Sequence, residues 1–353
     1  MSDTDFSSEP TDNNEPTVLG TTDDGRTITR YTLTHPAGGR LQLVDLGAGA
    51  ISYRLDAADA STEVLVGFDD VEGLMAGMSI GYFGFVVGRY ANRIANSRFT
   101  IDGVEHTVAA NEGPTSLHGG PDGFSHRIWQ VASHDDNHVE FTLTSPDGDQ
   151  GFPGTVQASA RYEVVEDGFT LDLGATTDAP TPVCLTSHLY LNLGEGSIHD
   201  HHLQIPASHY VEVGQDLIPT SAPVPVEGTP FDLREGARIG DRVGDPHPQM
   251  QQSGGFDHSF DVDGVGLRDV AWLTEPETGR QLTLRSDSKA LQFFSGNQLD
   301  GSLTTRGRTL QRGDALALEP DAHPDSPNQD WAADVVLRPG EQYSNRIEWH
   351  FTS

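Results

Sequence analysis

Five short segments of this chain set ionisable or amide side chains among glycines and aromatics. They are Gly88-Arg89-Tyr90-Ala91-Asn92-Arg93-Ile94, Ser116-Leu117-His118-Gly119-Gly120, Ser187-His188-Leu189-Tyr190-Leu191-Asn192-Leu193, Gly255-Phe256-Asp257-His258-Ser259-Phe260 and Leu318-Glu319-Pro320. That mixture suits a polyhydroxylated ligand. Charged and amide groups take hydroxyls in pairs, and flat apolar surface covers a sugar's C–H face. Taken singly, an Asn-Arg pair is usually a surface turn and a histidine beside leucines usually a core residue. The set and its order carry the weight.

Other patterns carry less. Gly77-Met78-Ser79-Ile80-Gly81 matches a nucleophile elbow, but the glycine-interrupted residues after it read poorly as the helix that motif requires. A small-residue turn is expected there. No glycine-rich run precedes Lys289, so a P-loop is absent, and Gly47-Ala48-Gly49 lacks the third glycine of a dinucleotide fingerprint. His199, His201 and His202 lack further metal-ligand spacing and read as a solvated loop. Asp261-Val262-Asp263-Gly264 is a fragment of a calcium loop without its downstream Glu.

The elements that must position these residues are strands. Val156, Ala158, Ala160, Tyr162 and Val164 alternate with polar neighbours, as do Ile347, Trp349 and Phe351. Shorter candidates fall at 27–33, 41–46, 139–143, 170–173, 281–284 and 291–294. Gly, Asp, Asn and Pro fill the gaps, as turns require. With 39 Gly and 21 Pro, long helices have little room. A turn or two near 70–75 is the best helix candidate. The pattern is that of a large antiparallel β-sandwich.

Charge bounds the partners. Lys plus Arg number 21 and Asp plus Glu 53, a net of 21 − 53 = −32, and Lys289 is the only lysine. Nucleic acids and anionic membranes select basic patches, so both are excluded as partners. A surface this acidic repels itself unless salt screens it, which points to a salt-rich, halophilic cytoplasm. Cys184 is the sole cysteine, so no intrachain disulfide forms. No window reads as a transmembrane helix. Residues 1–16 are acidic, lack an apolar run, and read as a disordered tail rather than a secretory signal.

The ordered set resembles the aldose 1-epimerase (galactose mutarotase) family over nearly the whole chain after the tail. Gly88 to Ile94 resembles its G-R-x-A-N-R-I segment, with Phe99 and Gly103 following. Asn111 to Gly123 resembles its N-x-G-x-x-x-L-H-G-G stretch, with Trp129 beyond. Phe256 to Phe260 resembles its D-H-x-F element, and Leu291 to Gly301 its x-Q-F-Y-T-G-N-x-L-D-G segment. Leu318 to Gln329 resembles its L-E-T-Q-x-x-P-D-x-x-N strand and loop. Arg338-Pro339-Gly340-Glu341 matches its late turn.

The resemblance implies an all-β supersandwich domain over 17–353 and an isomerase that interconverts the anomers of free aldoses. Position by position, it makes Glu319 the base and His188 the acid. Asn92, Arg93, His118, Asp257 and Gln292 would hold the sugar. No metal or other cofactor is implied, and the chain would act as a monomer or homodimer. Departures from the family pattern include Phe294 and Ser295 in the Leu291–Gly301 segment, Ser187 in place of Asn, Leu191 in place of Phe and Pro320 in place of Thr. On this reading Glu319 is ionised at neutral pH, neighbouring carboxylates shift His188 upward so that it stays protonated, and Arg93 forks onto two hydroxyls. The alternatives are a sugar-binding protein without catalysis, a glycosidase built on Asp257 and Glu319, and a serine esterase built on Ser79.

Overall fold

A computed structural model describes residues 14–352. The expected acidic tail lies, for residues 1–13, outside the described residues. Asn14 already joins the fold, its amide donating to Thr34 Oγ1 at 3.0 Å.

The architecture is an all-β sandwich of antiparallel sheets. The largest sheet has nine strands, in the order Gln130–His134, His138–Ser145, Val156–Val165, Gly168–Thr177, Tyr343–Thr352, Gln281–Ser286, Arg268–Thr274, His202–Gln204, Ala237–Arg238. A six-stranded sheet runs Tyr190–Leu191, Leu316–Asp321, Ala290–Phe294, Asp257–Val262, Ala207–Tyr210, Val224–Pro225. Four N-terminal strands between Thr17 and Arg54 form a third sheet in chain order. One apolar cluster draws on all three: Leu41 and Leu43 from the third, Phe141, Tyr162, Phe169 and Trp349 from the first, Leu291, Phe293 and Leu318 from the second.

The nine-stranded sheet follows its sequence pattern. Val156, Ala158, Ala160, Tyr162 and Val164 are all buried while the residues between them are not. Each large side chain so buried contributes roughly 1.5–3 kcal/mol. The six-stranded sheet differs. Every residue of Leu316–Asp321 and of Ala290–Phe294 is buried, because both faces are covered. A strand covered on both sides loses the alternation by which it would be read.

Pro320 sits within this strand, opposite Leu291. Its carbonyl accepts from Thr186 Oγ1 and Asn345 Nδ2, so it points away from the Ala290–Phe294 neighbour. The missing N–H would point the same way, and Tyr190–Leu191 pairs only as far as Ala317. The proline therefore costs no ladder hydrogen bond. Leu191 is fully buried in the main core, where it acts as an apolar filler.

The helix is longer than the turn or two expected. It runs Val71–Gly81, capped by the Asp70 carboxylate accepting from Gly73 N at 2.7 Å. Its glycines are packing positions rather than breaks. A Cβ at Gly77 would lie 2.3 Å from the Phe68 ring. Ser79 lies exposed on the last turn, its Oγ bonded to Ala76 O, so no nucleophile elbow exists. The histidine cluster is not a solvated loop throughout. Ile198–Asp200 is a 3-10 turn, and His201 is buried with its Nε2 accepting from Leu193 N. Among the described residues, no helix is long and apolar enough to cross a membrane.

Candidate active site

The six-stranded sheet lays the floor of a pocket. Its register sets Glu319 opposite Gln292, Gln292 opposite Ser259, and Asp257 opposite Phe294. Glu319 and Gln292 are thereby aligned on adjacent strands, and Gln292 Nε2 donates to Asp257 Oδ1 at 2.7 Å. His188 comes from the connection between Thr186–Ser187 and Tyr190–Leu191. Its backbone is pinned by His188 N donating to Phe85 O and Gly84 N donating to His188 O, each at 2.9 Å.

Two further strands supply the walls. Arg93 pairs with Leu117 in a short antiparallel bridge, which sets His118 beside Asn92. His118 N donates to Asn92 O, and Asn92 N donates back to His118 Nδ1 at 3.1 Å. Asn92, His118 and Tyr82 all adopt left-handed backbone conformations, with φ of 62°, 50° and 55°. Such conformations cost on the order of 1–3 kcal/mol each and concentrate at functional sites. Here all three side chains line one pocket.

All seven residues expected in the site meet there: Asn92, Arg93, His118, His188, Asp257, Gln292 and Glu319 line a cavity of about 260 Å³. Glu319 is 3% exposed and His188 6% exposed, and His188 Nε2 lies 3.5 Å from Glu319 Oε1. A larger cavity of about 650 Å³ lies elsewhere, lined by Lys289, Asp321, His323 and Tyr343 among others. The smaller one holds the converging carboxyl and imidazole, and chemistry rather than size selects it.

Two expectations are corrected. First, His188 is not shifted upward. Burial pushes its imidazole down to about 4. Burial likewise raises Glu319 well above the usual carboxylic range, reinforced by Asp321 and Asp257 and opposed by Arg93. Although the two groups are close enough for an ion pair, burial favours the neutral form of each. Second, Arg93 does not offer its fork to a ligand. Its Nε and Nη2 donate to the two carboxylate oxygens of Glu112 at 2.6 and 2.9 Å.

His118 is also held neutral, by burial and by the neighbouring His188 and Arg93. Because its Nδ1 accepts from a backbone N–H, its ring hydrogen is on Nε2. His118, His188 and Glu319 offer ligand atoms within 4.8 Å of one another. A metal would need a lone pair at His118 Nε2, where the hydrogen bond from Asn92 places a proton. The trio is therefore built to donate and accept hydrogen bonds.

Sequence reasoning missed Glu112 and Tyr82. Tyr82 closes the helix as its left-handed cap. Its ring lies edge-on to His118 at 4.6 Å and nearly parallel to His188 at 6.2 Å. Phe294 adds apolar surface to the same pocket. The signal for Tyr82 was an aromatic between Gly81 and Gly84 directly after the helix. Glu112 lay inside the Asn111–Gly123 stretch, unmarked by type.

Fold and site together define an antiparallel β-sandwich with a buried carboxyl–imidazole pair in a polar pocket. The family model described as aldose 1-epimerase matches residues 29–350. The chain is 39% identical over 336 residues to the aldose 1-epimerase of Escherichia coli K12, covering 93% of this chain and 96% of that protein. It is 38% identical over 321 residues to the galactose mutarotase of Bos taurus, covering 89% and 91%. A solved structure of galactose 1-epimerase from Lactobacillus acidophilus NCFM superposes with a TM-score of 0.84 at 25% identity, covering 96% of this chain and 98% of that one. The chain belongs to the aldose 1-epimerase family and is an isomerase.

Proposed function

We propose that Glu319 and His188 exchange protons with a free aldose, opening its pyranose ring and reclosing it as the other anomer. The observation that carries this reading is the 3.5 Å approach of His188 Nε2 to Glu319 Oε1 inside a buried pocket of hydrogen-bonding groups. In the ring-opening step Glu319 takes the proton from the O1 hydroxyl while His188 gives one to the ring oxygen. The C1–O5 bond breaks and an aldehyde forms. Rotation about C1–C2 presents the other face, and the ring closes with the roles reversed. Each positioned proton-transfer group is typically worth about 10² to 10⁴ in rate.

The empty pocket holds the pair's proton on Glu319. Sugar binding brings hydroxyl donors to the carboxylate, and Arg93 adds positive charge beside it. Both favour moving the proton across to His188, which creates the base and the acid in one transfer. His118 Nε2–H, Asn92, Asp257, Gln292 and the Arg93 Nη1 edge hold hydroxyls, while Tyr82 and Phe294 cover apolar faces. Only protons pass between protein and sugar, and the C1–O5 bond that breaks is remade within the same molecule, so the reaction calls for no redox or group-transfer cofactor.

Polarimetry tests the assignment. Glu319→Gln should abolish acceleration of α-glucose or α-galactose mutarotation in high salt, and His188→Asn should lose several orders of magnitude. Near-wild-type rates in the first, or a loss under tenfold in the second, would remove that residue from the chemistry. A salt-rich, halophilic setting is proposed as well, supported by the net charge of −32; a cytoplasmic location and a monomeric or homodimeric state are proposed with it.

A further inference from the structure

Among the described residues, Arg93 is the only Arg or Lys lining the pocket, which also carries Glu112, Asp257 and Glu319. Its side chain is 10% exposed, that of Glu112 40%. An unengaged guanidinium beside a sugar would be a fork for carboxylate or phosphate, two parallel N–H groups matched to two oxygens. In this protein the fork is filled from within. Glu112 takes Nε at 2.6 Å and Nη2 at 2.9 Å, which leaves Nη1 to face a ligand.

The backbone holds Glu112 to that task. Glu112 and Thr115 exchange both backbone hydrogen bonds, closing a tight turn in which Gly113 takes a φ of 58°. The turn is braced at Asn111, whose side chain accepts from Leu117 N and donates to Leu117 O and Tyr82 Oη. Leu117 is the residue paired with Arg93. One short loop thus ties together the clamp, the arginine and the aromatic wall.

We propose that Glu112 is a positioning and specificity-determining residue: it aims Arg93 Nη1 at a neutral sugar hydroxyl and denies the guanidinium fork to anionic aldoses such as uronic acids. This rests on the aldose reading above. Glu112 occupies the place a ligand carboxylate would need, and the remaining carboxyls of the pocket add no cation to replace it.

The test compares wild type, Glu112→Gln and Glu112→Ala. Calorimetry measures binding of glucose and of glucuronate to each, and polarimetry gives kcat and KM for glucose. Wild type should bind glucose and show at least tenfold weaker affinity for glucuronate. In Glu112→Ala the KM for glucose should rise about tenfold with kcat within about threefold, because Arg93 is no longer aimed. Glucuronate should bind at least tenfold tighter than to wild type and compete with glucose. Glu112→Gln keeps one acceptor for Arg93 and should fall between the two. It also carries the test should the alanine variant fail to fold. A wild type that takes glucuronate as readily as glucose would overturn the proposal. So would variants whose KM stays within twofold and whose glucuronate affinity is unchanged. If wild type binds glucose yet accelerates no aldose's mutarotation, the isomerase reading falls, while the calorimetric comparison still decides the role of Glu112.

Discussion

At the scale of single residues, burial governs the protonation of this site. His188 is pushed down to about 4 and Glu319 is raised well above its usual range, so one proton belongs to the pair across a broad span of pH. Below that span His188 gains a second proton and the acceptor is lost; above it Glu319 loses the shared proton and the donor is lost. The acid limb of kcat/KM, which reports the free enzyme, is therefore expected near pH 4. A limb near 6.5 would show His188 titrating as an ordinary histidine. Asp321 is a second consequence of burial. It follows Glu319 by two residues on the same strand, and neither of its carboxyl oxygens has a hydrogen-bond partner among the described residues. Burial raises its proton affinity well above normal. A group that holds its proton more tightly when folded adds stability below the unfolded pKa of about 3.9, and that contribution is lost as pH rises toward the folded value. Asp321→Asn has no such loss. Its stability relative to wild type, from urea unfolding, should improve between pH 4 and pH 8. An identical difference at both pH values would refute the titration of Asp321.

At the scale of elements, the helix Val71–Gly81 shows how a local rule is overridden by contact. Replacing a helical glycine with alanine ordinarily gains about 1 kcal/mol. At Gly77 the added Cβ would meet the Phe68 ring at 2.3 Å, and Phe68 is itself wedged edge-on against Phe83 at 5.4 Å. Overpacking of this kind costs about 1–3 kcal/mol. Gly77→Ala should therefore destabilise by about 1–2 kcal/mol in urea unfolding; a stabilised variant would mean that the ring yields freely. The helix ends at Tyr82, so a shift there also moves the aromatic wall of the pocket. The six-stranded sheet makes the complementary point. Its central strands carry Asp257, Gln292 and Glu319, and register alone brings three residues distant in sequence to one floor.

At the scale of the whole molecule, charge governs the expected response to salt. Surface pairs such as Arg338 with Asp102 and Arg238 with Asp241 involve exposed side chains, each worth about 0–1 kcal/mol. Salt weakens such pairs, but it also screens the excess of 32 negative charges, for which the chain holds no compensating cation. On the proposed salt-rich reading, the second effect is the larger. The melting temperature should rise between 0.1 M and 3 M KCl; a flat response would sink the salt-rich setting.

Much of the fold was legible in the sequence because a sheet with one solvated face writes its burial as a period of two, as in Val156–Val165 and Tyr343–Thr352. The strand Leu316–Asp321 left little such trace, since covering both faces erases the alternation. The site's seven residues are named through the resemblance of ordered segments to the aldose 1-epimerase family, carried over position by position. Residue type and spacing, then, determined which groups could react. Their protonation and the orientation of Arg93 were decided by tertiary structure alone. Desolvation depends on every wall of the pocket at once, and the clamp on Arg93 depends on a side chain nineteen residues away along the chain.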